Sequence, residues 1–376
     1  MQADIIIVGG GIAGISAAYF ISKYASVVVV ERETAIGTHS SSRTAGQFTV
    51  GIYADTMRRL AKASRSFLET PPAGFADYPL LSPRGCLTVG RRDQQDKLDK
   101  LYDYLDEAGA ALRRVSGEEA LSLFPALRPE NVHCGVYEEN AMDIDVDLLL
   151  QSYAKGAKAN GAKILTNIQV NSIRRTSGKW AVETPDEAIS APLLLNASGA
   201  WTDEVGKLAG LPPIGLTPCR RTAFTFASPD NQDVSQWPHV SNADYKWYLH
   251  PESHGFMGSP VDTVPTPPSD VYPDDMDVAQ GIYNIEQDTI FQIRRPTGTW
   301  AGLRSFMADK NPVLGTRPDA EGFYWLAGHG GCGVLTSPAL GQAAASLLLN
   351  SDLPEEQKSL GISVAALAPD RASLRV

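Results

Sequence analysis

Gly9, Gly11 and Gly14, followed by Glu31, are spaced to hold a dinucleotide. In a Gly-x-Gly-x-x-Gly turn the first glycine permits a tight strand-to-helix reversal, the second lets backbone approach a pyrophosphate, and the third lets the helix lie close on its strand. Amides at the start of that helix face the phosphates, where the helix dipole favours negative charge. Glu31, about 20 residues past the middle glycine, is placed to accept hydrogen bonds from ribose hydroxyls. A second cluster, Gly328, Gly330, Gly331 and Gly333, surrounds His329 and Cys332 far along the chain. Two glycine loops that each feed a helix suit a cofactor with two ends to hold. An isoalloxazine meets that demand, because reduced flavin gathers negative charge along its N1–C2=O edge, where a helix N-terminus stabilises it. FAD is therefore favoured over NAD.

The elements that must position these residues can be read around them. Asp4–Glu33 is a βαβ unit: an apolar run at Ile5–Val8, a helical stretch, and a second apolar run at Val27–Val30. Phe323–Ala327 reads as a short strand before the second loop, and Pro338 sits near the start of a long apolar helix. Between Glu33 and Tyr53, IGTHSSSRTAGQF is too polar for a core and reads as a loop along a ligand. Helical spacing covers Thr56–Glu69, Asp93–Ala111 and Leu148–Asn160, the last capped by acids within Asp143–Asp147. Short strands follow in AKILTNIQVNSI, KWAVET and APLLLNASGAW. From Pro218 to Phe306 the pattern is aromatic, β-branched and proline-rich, with no helix–strand alternation, and Gly258–Asp277 reads as a connector or a lid.

Composition limits the classes of function. The chain has 376 residues, 43% hydrophobic and 20% charged, enough for two domains and a large core. Its net charge of -10 argues against nucleic acid as a partner and gives no reason for attachment to an anionic membrane. No apolar segment is long enough to span a bilayer, and the leading residues lack the positive charge of a signal peptide. Cys86, Cys134, Cys219 and Cys332 are isolated, which points to a reducing cytoplasm. His133, His239, His250 and His254 show no metal-ligand spacing. The expected architecture is α/β: a Rossmann-like FAD-binding domain from residues 1–85, 145–215 and 310–376. It is interleaved with an α+β substrate domain on a mostly antiparallel sheet, from residues 86–144 and 216–309.

The motifs VGGGIAGISAAY, HSSSRTAGQFTV, PPAGFADYPLLSPR, DIDVDLL, LLNASGAW, CRRTAFTF, IRRPTGTWAGLRSF and AGHGGCGVLTSPALG span essentially the whole chain. Together they resemble the FAD-dependent D-amino-acid oxidase superfamily, in its glycine oxidase and D-amino-acid dehydrogenase branch, nearest the bacterial D-arginine dehydrogenase type. The resemblance implies that Arg221 and Arg304 hold a substrate carboxylate, helped by Tyr248 and the backbone near Gly331. A planar guanidinium binds a carboxylate through two parallel charge-assisted hydrogen bonds, so the assignment is chemically sensible. The bland alternative is that Arg220, Arg221, Arg294, Arg295 and Arg304 are surface charges on strand edges.

For the cofactor, the resemblance implies contacts from Gly9, Gly11, Ile12, Ala13, Gly14, Glu31 and Arg32, then from Ser41, Ser42, Arg43, Thr44, Ala45, Gly46 and Gln47. Val170, Ala197, Ser198, Gly199, Trp201 and Arg304 follow, with Gly330, Gly331, Cys332, Gly333, Val334, Leu335 and Thr336 at the second loop. The substrate side chain would meet Gln47, Ile52, Tyr53, Cys86 and Val334. Here the sequence departs from the D-arginine type, which has histidine, tyrosine and glutamate where Gln47, Ile52 and Cys86 stand. Without that glutamate a buried cationic side chain has no obvious counter-ion, so a neutral side chain is expected. His329 is the candidate base, with His39 second, and both have a plain packing role as the alternative. Cys332 reads as a small turn residue rather than a covalent flavin anchor.

The expected reaction is oxidation of the Cα–N bond of a D-amino acid with a neutral side chain, giving an imine that hydrolyses to a 2-oxo acid and ammonia. Oxygen or a quinone would take the electrons. Oxidation of a secondary amine, either an N-substituted amino acid or a cyclic imino acid, is the first alternative. A 2-hydroxy-acid dehydrogenase, which needs a base at His329 or His39, is the second, and a flavin-binding partner subunit is the non-enzymatic one.

Overall fold

The computed structural model describes residues 1–374 apart from Tyr53, Asp186, Asp230, Asn231, Ser253, His254 and Ser351. Tyr53, expected at the substrate, and His254 therefore lie outside the described residues. Strand β1 (Ile5–Val8), helix α1 (Ile12–Ile21) and strand β2 (Val27–Val30) form the expected βαβ unit. They belong to a six-stranded sheet in the order Val313–Gly315, Phe323–Ala327, Leu193–Asn196, β1, β2, Lys163–Leu165. All its pairs are parallel except the one between Val313–Gly315 and Phe323–Ala327. The runs IIIV and VVVV are buried throughout, as a parallel sheet covered on both faces requires. Helix α1 is apolar nearly all round because it lies between the helices Val146–Ala159 and Ser337–Asn350.

Asp145 caps Val146–Ala159 by accepting from the Leu148 amide at 2.9 Å. That acid lies within the run expected to cap it, and the helix starts two residues earlier than its apolar spacing predicted. A three-stranded sheet, Gln47–Phe48, Met142–Ile144 and Leu81–Pro83, sits apart from another, Ser172–Thr176, Lys179–Glu183 and Ala188–Ala191.

The second large unit is a nine-stranded sheet. It runs Val264–Pro265, Thr217–Ala227, Gly255–Ser259, Tyr248–Glu252, His239–Asn242, Cys86–Gly90, Cys134–Glu138, Leu112–Ser116, with Gly298–Phe306 also paired to Thr217–Ala227. One face carries Leu87, Val240, Leu249, Phe256, Phe224 and Phe226 into a buried cluster with Val278 and Ile285. Those last two belong to helix Asp275–Asp288, capped by Asp274, in the stretch whose sequence shows no helix–strand alternation. Its apolar stripe is short and its first turn is acidic, so it resembles the loop before it until the aromatic sheet face supplies a partner. Gly258–Asp277 is fastened at several points: Val264–Pro265 pairs with Cys219 and Arg220, and Asp270 accepts from Arg43 at 2.6 Å. Among the described residues no helix is long and apolar enough to cross a membrane.

Gly14 shows how tightly α1 is seated, since a Cβ there would stand 2.0 Å from the Gly9 carbonyl oxygen. Gly14→Ala is expected to lose about 2 kcal/mol or more of stability, because backbone rather than a flexible side chain must move. A thermal melt of the cofactor-free protein measures it. Asp309 joins the chain's last segment to this domain by accepting twice from Arg371, at 2.7 and 2.8 Å. Burial alone would raise the Asp309 carboxyl, but Arg371, Ser373 and the Asn311 amide together bring it down from 3.8 to about 2. The stabilisation is complete above pH 4 and is lost as the pH falls toward 2. Melts across that range should show a loss that Asp309→Asn, already weakened at neutral pH, does not share.

Candidate active site

One cleft of about 740 Å³ runs from the tip of β2 and the start of α1 to the second glycine loop. Helix α1 opens at Gly11 without a side-chain cap from that residue, and Ser41 Oγ accepts from the Ile12 amide at 2.9 Å. Glu31 is held at the wall by two amides, from Gly10 at 2.5 Å and Glu33 at 2.8 Å. At that end Arg32 lies 4.5 Å over the Trp201 ring, and His39 packs 4.7 Å from the same ring while it meets Glu33 at 2.9 Å. At the other end Gly330 donates to the Ser305 carbonyl at 2.9 Å. Ser40 Oγ donates to the Leu303 carbonyl at 2.6 Å and Arg43 to that of Ala301 at 2.9 Å. The strand Gly298–Phe306 is thereby tied to both loops.

That strand also carries one of two neighbouring arginines. Antiparallel pairing sets Arg221 opposite Gly302 and Cys219 opposite Arg304, so Arg221 and Arg304 share one face, diagonal to each other. Arg221 is 9% exposed and its Nε donates to the Asp262 carbonyl at 2.6 Å. Its Nη2 meets Thr263 Oγ1 at 3.2 Å, while its Nη1 has no hydrogen-bond partner among the described residues. Burial first, and then the charge of Arg304, lower its proton affinity, so an anion here relieves both. Val261, a β-branched residue at φ 60°, holds the turn that aims Asp262 at Arg221. The Arg304 guanidinium lies flat against Gly331, where a Cβ would stand 2.9 Å from its Nη1.

Residues 4–347 match the family model described as DAO, FAD dependent oxidoreductase. The chain belongs to this family. Among its relatives, the glycine oxidase of Geobacillus kaustophilus is 24% identical over 92% of this chain and 92% of its own length. Human mitochondrial sarcosine dehydrogenase is 21% identical over 93% of this chain, which spans only 40% of that longer protein. Among solved structures, L-proline dehydrogenase from P. horikoshii superposes with a TM-score of 0.82 at 22% identity, over 93% of this chain and 94% of that one. The cleft fits the family's FAD. Gly9 lies so close to Ala197 that a Cβ would stand 2.4 Å from its carbonyl oxygen, which leaves bare backbone at the phosphate turn. The start of α1, the oriented Glu31 carboxylate and the second glycine loop would hold its two ends.

In this oxidoreductase the cleft wall includes Gly9, Gly11, Ile12, Ala13, Glu31 and Arg32 at the first loop, and Ser41, Arg43 and Thr44 beyond it. Val170, Ala197, Ser198, Gly199 and Trp201 line its middle, and Gly330, Gly331, Gly333, Val334, His329, Arg221 and Arg304 its far end. Other expected residues stand behind the wall. Gly14 is pressed onto Gly9, and Ser42 is exposed with its hydroxyl turned back to the carbonyls of Thr38 and His39, both at 3.2 Å. Ala45 packs beside Tyr248, and Gly46 lies under the Ile144 carbonyl. Leu335 and Thr336 are buried, the latter donating to the Cys332 carbonyl at 2.7 Å. Ile52 leans on the large core and its carbonyl accepts from Tyr104. Burial pushes the Cys332 thiol up to about 11.

Arg220 pairs with Asp277 at 2.6 Å, and Arg294 and Arg295 are exposed. His329 is lowered to about 4 by burial, and its Nε2 has no hydrogen-bond partner among the described residues. Gln47 and Cys86 come together off the main cleft, where burial and then Glu138 push the thiol up to about 12. Glu138 itself is taken by Thr49 Oγ1 at 2.6 Å and the Val50 amide at 3.3 Å. Sequence reasoning missed Thr38, Gln169, Glu204, Lys207 and Leu208 in the cleft wall. The last three follow Trp201 on helix Thr202–Leu208, and the strand tip at Asn196 was the available signal. It also missed Tyr245, whose hydroxyl feels both Arg221 and Arg304 and whose ring lies 6.5 Å from that of Tyr248. Glu31→Ala removes the carboxylate and frees two amides, and is expected to weaken FAD binding at least tenfold when cofactor-free protein is titrated by flavin fluorescence.

Proposed function

We propose that the protein oxidises the Cα–N bond of a D-amino acid with a neutral side chain. The unpartnered Nη1 of buried Arg221, diagonal to Arg304, carries this reading: a guanidinium held with one donor open is completed by a carboxylate. Bound FAD supplies the two-electron acceptor. Arg221 and Arg304 fix the carboxylate, and the backbone at Gly331, which admits Arg304 only because it has no side chain, shapes the same wall. Fixing one end of a small molecule removes most of its orientational freedom, which would let the bound cofactor meet one face of Cα. As the Cα hydrogen leaves with its electron pair, the amine lone pair forms the C=N bond and a proton leaves nitrogen. The imine then takes up water to give a 2-oxo acid and ammonia. His329, neutral and buried, is not required by this sequence of events. The resemblance of the sequence motifs to the D-arginine type, which none of the relatives named above represents, supports the D configuration. Cys86, where that type has glutamate, supports a neutral side chain, and Glu138 beside it is already occupied.

The relatives' names favour a second reading, in which the nitrogen is a secondary amine as in sarcosine or proline. Anaerobic mixing with D-amino acids, L-amino acids, N-alkylated glycines and cyclic imino acids separates the two. Bleaching of the visible flavin band by neutral D-amino acids is the expected outcome, and bleaching by the N-alkylated or cyclic compounds alone selects the second. Arg304→Leu should lower kcat/KM for the best substrate by about 30-fold or more, the equivalent of ~2 kcal/mol for one lost partner of a buried charge pair.

A further inference from the structure

Along the cleft-side face of the nine-stranded sheet the side chains change from charged to neutral polar. Arg304 and Arg221 come first, then Tyr248 and His250, then His239, and then Cys86. Ser241 pairs with Tyr248 and His239 with Cys86, and residues two apart on a strand share a face, so register alone groups them. The His239 ring centroid lies 5.2 Å from that of Tyr248 and 5.9 Å from that of His250. Gln47 and Asp143, opposite each other on the small sheet, close over this row. Asp143 Oδ1 is 3.8 Å from His250 Nε2, and Gln47 lies beside Cys86.

Four buried polar atoms here have no hydrogen-bond partner among the described residues: Nδ1 of His239, Nδ1 of His250, Oδ1 of Asp143 and Nε2 of Gln47. His239 is 5% exposed and His250 8%. Buried polar groups are nearly always satisfied, and an orphan carries its full desolvation cost, so four in one patch beside the carboxylate clamp call for a ligand. The charges nearby decide which kind. Arg84 neutralises Asp143 through a 2.6 Å bond to Oδ2, Thr49 and Val50 occupy Glu138, and burial keeps both histidines neutral. Among the described residues no three His, Cys, Asp or Glu side chains are grouped to hold a metal. What remains is a set of donors and acceptors without an uncompensated charge.

We propose that Gln47, Asp143, His239 and His250 form the subsite for the substrate's side chain, and that it takes a neutral hydrogen-bonding group, a carboxamide or hydroxyl, over an aliphatic group of similar shape. This rests on the amino-acid reading above. A site built to hydrogen-bond rejects the analogue that cannot, because its own groups are then left unpaired.

The test is titration of the FAD-loaded protein with succinamate and with 4-methylpentanoate, two carboxylates of similar length, read by perturbation of the flavin spectrum. Succinamate is expected to bind at least tenfold more tightly. His239→Phe and His250→Phe, which keep a ring in each place, should each bring the ratio close to one. Equal or tighter binding of 4-methylpentanoate by the unaltered protein overturns the proposal, whether or not either variant retains FAD. So does a tenfold ratio that both variants preserve. If the succinamate preference holds while no amino acid bleaches the flavin, the reaction assignment fails and the subsite stands. If amino acids bleach it without the preference, the subsite fails alone.

Discussion

The antiparallel register between Thr217–Ala227 and Gly298–Phe306 is the constraint on which the candidate site depends. A shift of one residue would turn either arginine to the opposite face, toward the apolar cluster under helix Asp275–Asp288. As built, two positive groups share one face with little solvent, an arrangement that burial and mutual repulsion both oppose. The chain meets part of this cost with the Asp262 carbonyl and Thr263, and leaves one donor of Arg221 open.

The same strand stitches the two glycine loops together. Ser40 and Arg43 reach its carbonyls from the first loop, and Gly330 reaches it from the second. Elements nearly three hundred residues apart thus converge on one edge, and the parallel sheet needs no further device to align the two ends of its cofactor. The crevice at the strand tips is where an open α/β sheet binds its ligand.

The nine-stranded sheet divides its labour by face. Phenylalanine and aliphatic side chains bury one side under a helix, while the other side keeps arginine, tyrosine and histidine in a nearly dry setting. Unpaired polar atoms are costly in such a setting. That they are concentrated beside the arginine pair, and that the nearby carboxylates are already compensated, is what gives this face a chemical character distinct from its reverse.

The βαβ unit, the second glycine loop and the preference for FAD were legible in the sequence because they rest on local demands: a turn only glycine makes, an apolar run only a buried strand tolerates, an acid at a fixed distance. The cap at Asp145 and the long helices other than Asp275–Asp288 were legible for the same reason. Helix Asp275–Asp288 was not, since its weak stripe gains meaning only against Phe224 and Phe256 from other strands. Ser42, Leu335 and Thr336 lie near cofactor-lining residues in sequence, yet local backbone turns them behind the wall. Ile52 likewise packs on the large core, against residues distant in sequence. The meeting of His239, His250, Asp143 and Gln47 was invisible along the chain, because strand pairing and sheet packing, which act between residues far apart in sequence, decide which side chains share a face.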